Sequence, residues 1–489
     1  MARIDLPAWI PLGAVAGDDP LPAVGEQPVV SPYDGAEVAR VAVSGGEAVN
    51  AAVAVARTAL GTAPSAAERA RVLDRAAGLV ADRSDVLSRL ITAEAGKPIR
   101  QARGEVARCV DTLTFSAAVA RTMAGEVIPM DAADSGVGLL GITVREPIGV
   151  VAAITPFNFP LNLVAHKLGP AVAVGAPVVL KPAGRAPLSG LALAAILREA
   201  GLPAGMLGWV LGDRVAGEPL VGHPGVGMVS FTGSSEVGWA IRAARPDIRV
   251  ALELGNATPV IVHDDADLAL AARAIAGSAF THAGQSCISV QRVLVQREVH
   301  DALIEHLLPL VDALVTGDPM DEATDVGPVI DPVSADRIRE WIAEAIRAGA
   351  RLLRGGERLP QGPAMIAPTV LDGVAPFTRV MREEVFGPVV AVCVYDRVDD
   401  AIAIANDSPL GLQAGIFTAR MDMAISWARR LDFGGVVINE TPTFRADHMP
   451  YGGVRGSGDA REGPASAAME MTYPKLVIAR IPETPVPGT

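Results

Sequence analysis

The chain predicts an α/β protein built on parallel sheets, and three observations carry that expectation. Between Pro147 and Leu254 short apolar runs alternate with helical stretches, the signature of βαβ units with helices on both faces. A second alternating stretch begins at Pro259. At 489 residues, 50% of them hydrophobic, the chain is long enough for two to four domains with buried cores.

The elements follow in order. Residues 1–45 carry scattered Pro and Gly and read as an extended arm with short strands. From Gly46 to about Met123 the pattern is helical: Val49, Val53, Ala56 and Leu60 recur at spacings of three and four, and Ala66 to Leu90 continues in that register. Residues 121–147 alternate loosely around Asp131-Ala132-Ala133-Asp134-Ser135-Gly136, a hairpin tip, so a protruding sheet element is expected there. Strands are expected at Gly149 to Ile154, Val178 to Leu180, Val226 to Phe231 and Arg249 to Leu254. Helices fall between them at Leu161 to Val174, Leu188 to Ala200 and Ser235 to Ala244. The second unit offers strands at Pro259 to Val262 and Arg292 to Val295, helices at Ala266 to Thr281 and Val299 to Leu314, and later strands at Val389 to Tyr395 and Val436 to Ile438. The tail after Met471 reads as short and ends in a Pro-rich stub.

Composition narrows the function. A net charge of -13 argues against nucleic-acid binding, which needs clustered cations. The lysines are Lys97, Lys167, Lys181 and Lys475, so each is easy to notice. The 3 cysteines, Cys109, Cys287 and Cys393, are too few and too scattered for a disulfide framework, and the 7 histidines show no ligand-like spacing, so no metal is expected. The N-terminus, Met1 to Pro7, has no basic region followed by a long apolar core, so no signal peptide is expected, and no apolar run has the length of a membrane span. A soluble cytoplasmic protein is expected.

Several segments carry chemistry. Gly284-Gln285-Ser286-Cys287 follows a helical stretch, where a tight turn can expose a thiol; the bland alternative, a buried structural cysteine, suits Cys109 and Cys393. Ile154-Thr155-Pro156-Phe157-Asn158-Phe159-Pro160 follows the first strand of the alternating unit, where open α/β sheets gather ligands. Its Asn158 amide can hold a developing oxyanion or cap a turn between prolines. Lys181 stands at the next strand end, able to bind ribose hydroxyls or phosphate, or to be solvated. Phe231-Thr232-Gly233-Ser234 leads from a strand into a helix start, where free N–H groups can meet a phosphate, although G-x-G-x-x-G is absent. Glu253 closes the last strand as a base of raised pKa or a satisfied anion. Glu383-Glu384-Val385-Phe386-Gly387-Pro388 places an acid and an aromatic at a Gly-Pro turn.

Taken together and in this order, these blocks, with Met449-Pro450-Tyr451-Gly452-Gly453-Val454-Arg455-Gly456-Ser457-Gly458, closely resemble the aldehyde dehydrogenase superfamily over nearly the whole chain. The resemblance implies a Rossmann-type NAD(P)-binding domain at 1–120 and 148–253, an α/β catalytic domain at 254–442, and a small β oligomerisation or bridging element at 121–147 and 443–489. It implies that Cys287 is the nucleophile, that Asn158 and the Cys287 N–H hold the oxyanion, and that Glu253 activates water against the thioester. The cofactor would be held by Thr155, Pro156, Phe157, Lys181, Pro182, Gly184, Arg185, Phe231, Gly233, Ser234, Leu254, Glu384 and Phe386. A homodimer or homotetramer is implied as well.

Three departures refine the expectation. Asn256 replaces the second Gly of the usual Glu-Leu-Gly-Gly block, and Phe157 replaces the usual Trp before the Asn. Where NAD-preferring members often carry Glu, three positions after the ribose Lys, this chain has Gly184 and then Arg185, which favours NADP while leaving NAD open. Phe157, Leu161, Ser286, Ile288, Phe444 and Arg445 align with pocket positions, and Arg103 and Arg108 sit on an early helix that can line the entry. Such cations suit a small, hydroxylated or anionic aldehyde, as in the lactaldehyde- and phosphonoacetaldehyde-type branch; the alternative is Arg445 paired structurally with Asp447 or Glu440. The competing functions are a coenzyme A-acylating semialdehyde dehydrogenase, against which Glu253 speaks, and a catalytically silent binding or structural protein on the same fold.

Overall fold

A computed structural model describes residues 6–481; residues 1–5 and 482–489, the latter holding the Pro-rich stub, lie outside the described residues. Two large sheets carry the structure. The first runs in the order Arg249–Glu253, Val226–Thr232, Val150–Ile154, Val178–Lys181, Leu207–Trp209, Val15–Ala16, Asp19–Pro20. Its first five strands are mutually parallel, so their carboxyl ends (Glu253, Thr232, Ile154, Lys181, Trp209) share one edge. The direction of travel reverses at Val150–Ile154, which puts a topological switch point beside that strand.

The second sheet runs Arg351–Arg354, Thr369–Asp372, Val389–Tyr395, Val290–Gln296, Thr258–Val262, Gln413–Phe417, Gly435–Ile438, parallel except for the first strand. Strands such as Thr258–Val262 and Gln413–Phe417 are buried throughout, as expected of parallel strands covered on both faces. The amino-terminal edge of this sheet meets the carboxyl edge of the first: the Asn256 backbone N–H donates to Glu384 Oε1 at 3.0 Å, and the Asn158 amide donates to the Gln285 carbonyl at 3.0 Å. The candidate site is that junction.

Helices cover both sheets. Ser65 starts Ala66–Asp82 with a capping box closed by Glu68, and Asp331 followed by Pro332 starts Pro332–Arg347. Two buried glutamates tie the early helices to the first sheet. Glu94 accepts from the backbone N–H groups of Leu188 and Ser189, and Glu105 from those of Leu161 and Asn162, each at the start of a helix where a carboxylate meets otherwise unsatisfied donors.

The region 121–147 forms a strand pair with two short 3-10 turns, Met130–Ala132 and Asp134–Gly136, where the hairpin tip was expected. The tail differs from expectation: Thr472–Arg480 is a full strand lying antiparallel to Leu139–Pro147. Its run Leu476-Val477-Ile478-Ala479 is a legible strand signal, although the side chains are exposed in the fold. Leu207–Trp209, Thr369–Asp372 and the helix Pro332–Arg347 also went unforeseen, the strands because runs of three or four residues carry little periodicity. Between the second sheet and the tail, the helix Pro464–Glu470 brings Ala468 into the core around Leu168 and Leu113.

Candidate active site

Cys287 lies between the helix Leu268–Ala279 and the strand Val290–Gln296, where the chain turns with His282 and Ala283 at φ 50° and 53°. Such left-handed backbone is costly for non-Gly residues and needs bracing. Gln101 Oε1 accepts from the His282 N–H at 2.8 Å, and the Gln285 side chain spans His282 O, Pro328 O and the Ile330 N–H. The thiol that follows is fixed in place, with its Sγ 2.8 Å from the Tyr451 hydroxyl. Burial pushes the Cys287 thiol up to about 12, while the Tyr451 hydrogen bond and the Arg445 charge pull against that rise.

Asn158 is buried in the turn after Val150–Ile154. Its amide nitrogen donates to Gln285 O, two residues ahead of the thiol, while its Oδ1 has no partner among the described residues. Glu105 positions this turn from below through Leu161 and Asn162, and pairs with the buried Lys97.

Glu253 faces a different space. Its carboxylate is buried, both oxygens lack hydrogen bonds among the described residues, and it borders a small cavity of about 10 Å³ lined also by Lys167, Ser230, Glu462 and Glu470. That volume matches roughly one water. Burial raises the Glu253 pKa well above the usual carboxylate range, the neighbouring Glu462 adds to it, and Arg445 and Lys167 oppose it. The segment after Met449 separates this carboxylate from the thiol: Tyr451 touches Sγ, and a Cβ on Gly452 would lie 2.8 Å from Glu253 Oε1 and 2.0 Å from Ala460 O. Only glycine fits there.

The other edge of the junction holds the residues expected around a dinucleotide. Lys181, buried at its strand end, donates to the Pro182 carbonyl at 3.2 Å; burial lowers its pKa. Thr155 Oγ1 is buried without a hydrogen-bond partner among the described residues beside the switch point, next to Pro156. Ser234 precedes the helix Ser235–Ala244 without capping it, and the Gly233 N–H donates to Glu253 O at 3.1 Å, next to Phe231 and Leu254. Phe157 stands edge-on to Phe386 with centroids 5.8 Å apart, and Glu384, raised to about 7 by burial, rests on the Asn256 N–H. Gly184 is buried, whereas Arg185 is exposed and ion-paired with Asp331 at 2.9 Å.

A cavity of about 290 Å³ opens at the thiol, lined by Cys287, Ser286, Ile288, Phe159, Asn162, Leu163, Lys97, Gln101, Glu105, Arg108, Thr443, Arg445 and Tyr451. Of the pocket residues expected from sequence, Ser286, Ile288 and Arg445 line it. Leu161 is fully buried under the turn, Phe444 is 52% exposed, and Phe157 sits on the Phe386 side. Arg103 points to the surface, where it grips Glu322 at 2.6 and 2.8 Å. Arg445 is paired, but with Glu462 at 2.8 Å rather than with Asp447 or Glu440, and its guanidinium lies 3.9 Å above the Tyr451 ring. Arg108 binds Asp447 through Nε and Nη2, leaving Nη1 without a partner among the described residues.

The model of the Aldehyde dehydrogenase family matches residues 22–477. The chain belongs to this family. It is 44% identical over 454 residues to 3-sulfolactaldehyde dehydrogenase of Priestia megaterium, covering 93% of this chain and 94% of that protein. Lactaldehyde dehydrogenase of Methanococcus maripaludis is 40% identical over 419 residues, covering 85% and 88%. The structure of glyceraldehyde-3-phosphate dehydrogenase GapN from Methanocaldococcus jannaschii complexed with NADP superposes with a TM-score of 0.89 at 37% identity, covering 93% of this chain and 99% of that one. This aldehyde dehydrogenase is therefore an oxidoreductase of small aldehydes using NAD(P). The switch-point crevice fits a dinucleotide: a buried lysine with one backbone acceptor, an orphaned Thr155 hydroxyl and an uncapped helix start converge there.

Sequence reasoning assigned no role to Tyr451, Lys167, Glu462 or Glu105. Tyr451 had a signal, since it lies inside a quoted motif, and Lys167 was one of the few lysines. Glu462 and Glu105 carried none, because their roles come from which helix and which buried cation they meet.

Proposed function

We propose that the enzyme oxidises a small anionic or hydroxylated aldehyde to its acid, with Cys287 as nucleophile, Asn158 and the Cys287 N–H as oxyanion donors, and Glu253 as the base of hydrolysis. The observation that carries this reading is the Cys287 thiol opening into a cavity bordered by Arg108 and Arg445. Attack of the thiolate on the carbonyl carbon forms a thiohemiacetal, and the Asn158 amide, which donates to the Gln285 carbonyl two residues before the thiol, stabilises its oxygen. Bound NAD(P)+ supplies the hydride acceptor. The resulting thioester is cleaved by water that gives its proton to Glu253, a carboxylate whose burial raises its basicity. Gly452 lies between Glu253 and the thiol side, and a side chain there would collide with Glu253 Oε1 and the Ala460 carbonyl, so glycine keeps the carboxylate in this place. Lys167, 3.9 Å from Glu462, stands behind Glu253 to share the charge it takes up and releases.

Lys181, Pro182, Thr155, Pro156, Phe157, Phe231, Gly233, Ser234 and Leu254 would hold the dinucleotide on the first sheet, and Glu384 with Phe386 its nicotinamide end. Residues 1–120 and 148–253 then form the cofactor domain and 254–442 the catalytic domain, in line with their separate sheets. The segment 443–489 bridges them, and with 121–147 it forms the oligomerisation element of a cytoplasmic homodimer or homotetramer. Support comes from exposed Tyr473, Leu476, Val477 and Ile478 on the tail strand. Among the described residues, no helix is long and apolar enough to cross a membrane.

Arg108 favours an anionic tail on the substrate. A cavity-lining guanidinium held by Asp447 through Nε and Nη2, with Nη1 unpartnered among the described residues, suits a sulfonate, carboxylate or phosphonate. The test is kcat/KM across 3-sulfolactaldehyde, succinate semialdehyde, phosphonoacetaldehyde and lactaldehyde, with the acid product identified by mass. Anionic aldehydes should lead neutral ones of equal length; the reverse order would remove the anion reading.

A further inference from the structure

The expectation of NADP rested on the absence of an anion at position 184 and the presence of Arg185. In the folded chain the anion is supplied from elsewhere. A Cβ on Gly184 would lie 2.3 Å from Asp213 Oδ1 and 2.9 Å from Oδ2, so the Asp213 carboxylate fills the space that a side chain three positions after Lys181 would take. The position is fixed from two sides. Gln27 Nε2, on the strand Ala23–Val30, donates to the Gly184 carbonyl at 2.9 Å. Asp213 itself follows the strand Leu207–Trp209 and precedes the helix Arg214–Gly222, whose Gly217 N–H donates to the Asp213 carbonyl at 2.9 Å.

The Asp213 carboxylate is otherwise unused. It does not cap its own helix, and it makes no hydrogen bond or ion pair among the described residues. It acts on Lys181, where its charge opposes the effect of burial. The neighbouring arginines are engaged: Arg185 with Asp331 at 2.9 Å, Arg214 with Glu218 at 2.8 Å. The edge that carries Lys181 thus presents one ammonium and one unengaged carboxylate close together.

We propose that Asp213 is a specificity-determining residue that selects NAD+ over NADP+, an inference that rests on the dinucleotide reading of this crevice. A carboxylate at this place accepts a hydrogen bond from a ribose 2′-hydroxyl and repels a 2′-phosphate. The loss of the acidic side chain at position 184 and the presence of Asp213 are two halves of one arrangement, since both side chains cannot occupy the same volume.

Calorimetric titration of the purified protein with NAD+ and with NADP+, without aldehyde, tests the assignment directly. The unaltered enzyme should bind NAD+ roughly tenfold or more tightly than NADP+, and Asp213→Asn and Asp213→Ala should each narrow that ratio by roughly tenfold, mainly through tighter NADP+ binding. Asp213 is exposed, so neither change threatens folding. Aldehyde turnover measured in parallel separates two failures. Binding and turnover with a preference that neither variant moves, or an unaltered enzyme preferring NADP+, would overturn the role of Asp213 alone. Binding of neither dinucleotide would overturn the crevice assignment and this inference with it.

Discussion

The Sγ of Cys287 and the hydroxyl of Tyr451 are 2.8 Å apart, and the Arg445 guanidinium lies 3.9 Å above the same Tyr451 ring. A cation over the ring face favours electron density on the phenol, and the phenol O–H can donate to the sulfur once it ionises. Burial still dominates and holds the free thiol neutral, at about 12. Because the pKa is raised, the reactive thiolate appears only as pH climbs, so alkylation of the cofactor-free enzyme by iodoacetamide should accelerate roughly tenfold per pH unit from 8 to 10 with no plateau. Tyr451→Phe removes a bond that favours the thiolate and should slow alkylation about threefold to tenfold at each pH. Faster alkylation of that variant would mean that the bond stabilises the thiol instead.

Glu253→Gln should leave thioester formation intact and stop its hydrolysis. Stopped-flow mixing with aldehyde and cofactor should show a burst of reduced cofactor of about one equivalent per active site, followed by a steady rate lowered by roughly 10²–10⁴. Loss of the burst together with the steady rate would place Glu253 in an earlier step.

Asn158→Ala deletes the side-chain oxyanion donor while leaving the Cys287 N–H. The expected cost is about 10²–10³ in kcat, with KM changed little, because the donor acts on charge that develops only as the carbonyl is attacked. An effect confined to KM would assign the amide to ground-state binding.

Arg108→Gln tests the anion reading. It removes a guanidinium that lines the cavity, and kcat/KM for a sulfonate- or carboxylate-bearing aldehyde should fall about tenfold while that for lactaldehyde moves by less than about threefold. Equal losses for both substrates would make Arg108 a support for Asp447 and nothing more.

The two alternating units were legible because parallel strands buried on both faces read as continuous apolar runs, as Val150–Ile154 and Thr258–Val262 do. The site was legible in pieces. Asn158, Lys181 and Glu253 stand at strand carboxyl ends, where a sequence reading looks for ligands, but Cys287 and Glu384 precede their strands, and only the meeting of two opposed sheet edges explains how they join the others. Side-chain direction was not legible. Arg103 and Arg108 sit on one helix, yet Arg103 turns outward to Glu322 while Arg108 lines the cavity against Asp447. Asp213 was silent for a related reason: it fills the place of a missing side chain from a separate strand end, and no local pattern announces such a substitution.

The pairing of Thr472–Arg480 with Leu139–Pro147 has a consequence for how the molecule is made. The ribosome delivers the inner strand early and its partner only after everything between them has emerged. Tyr451 and Glu462 belong to that same late-arriving stretch, so a nascent chain can assemble both large sheets while its reaction centre lacks a wall. A polypeptide cut short before Tyr451 should then fold in large part yet stay chemically inert.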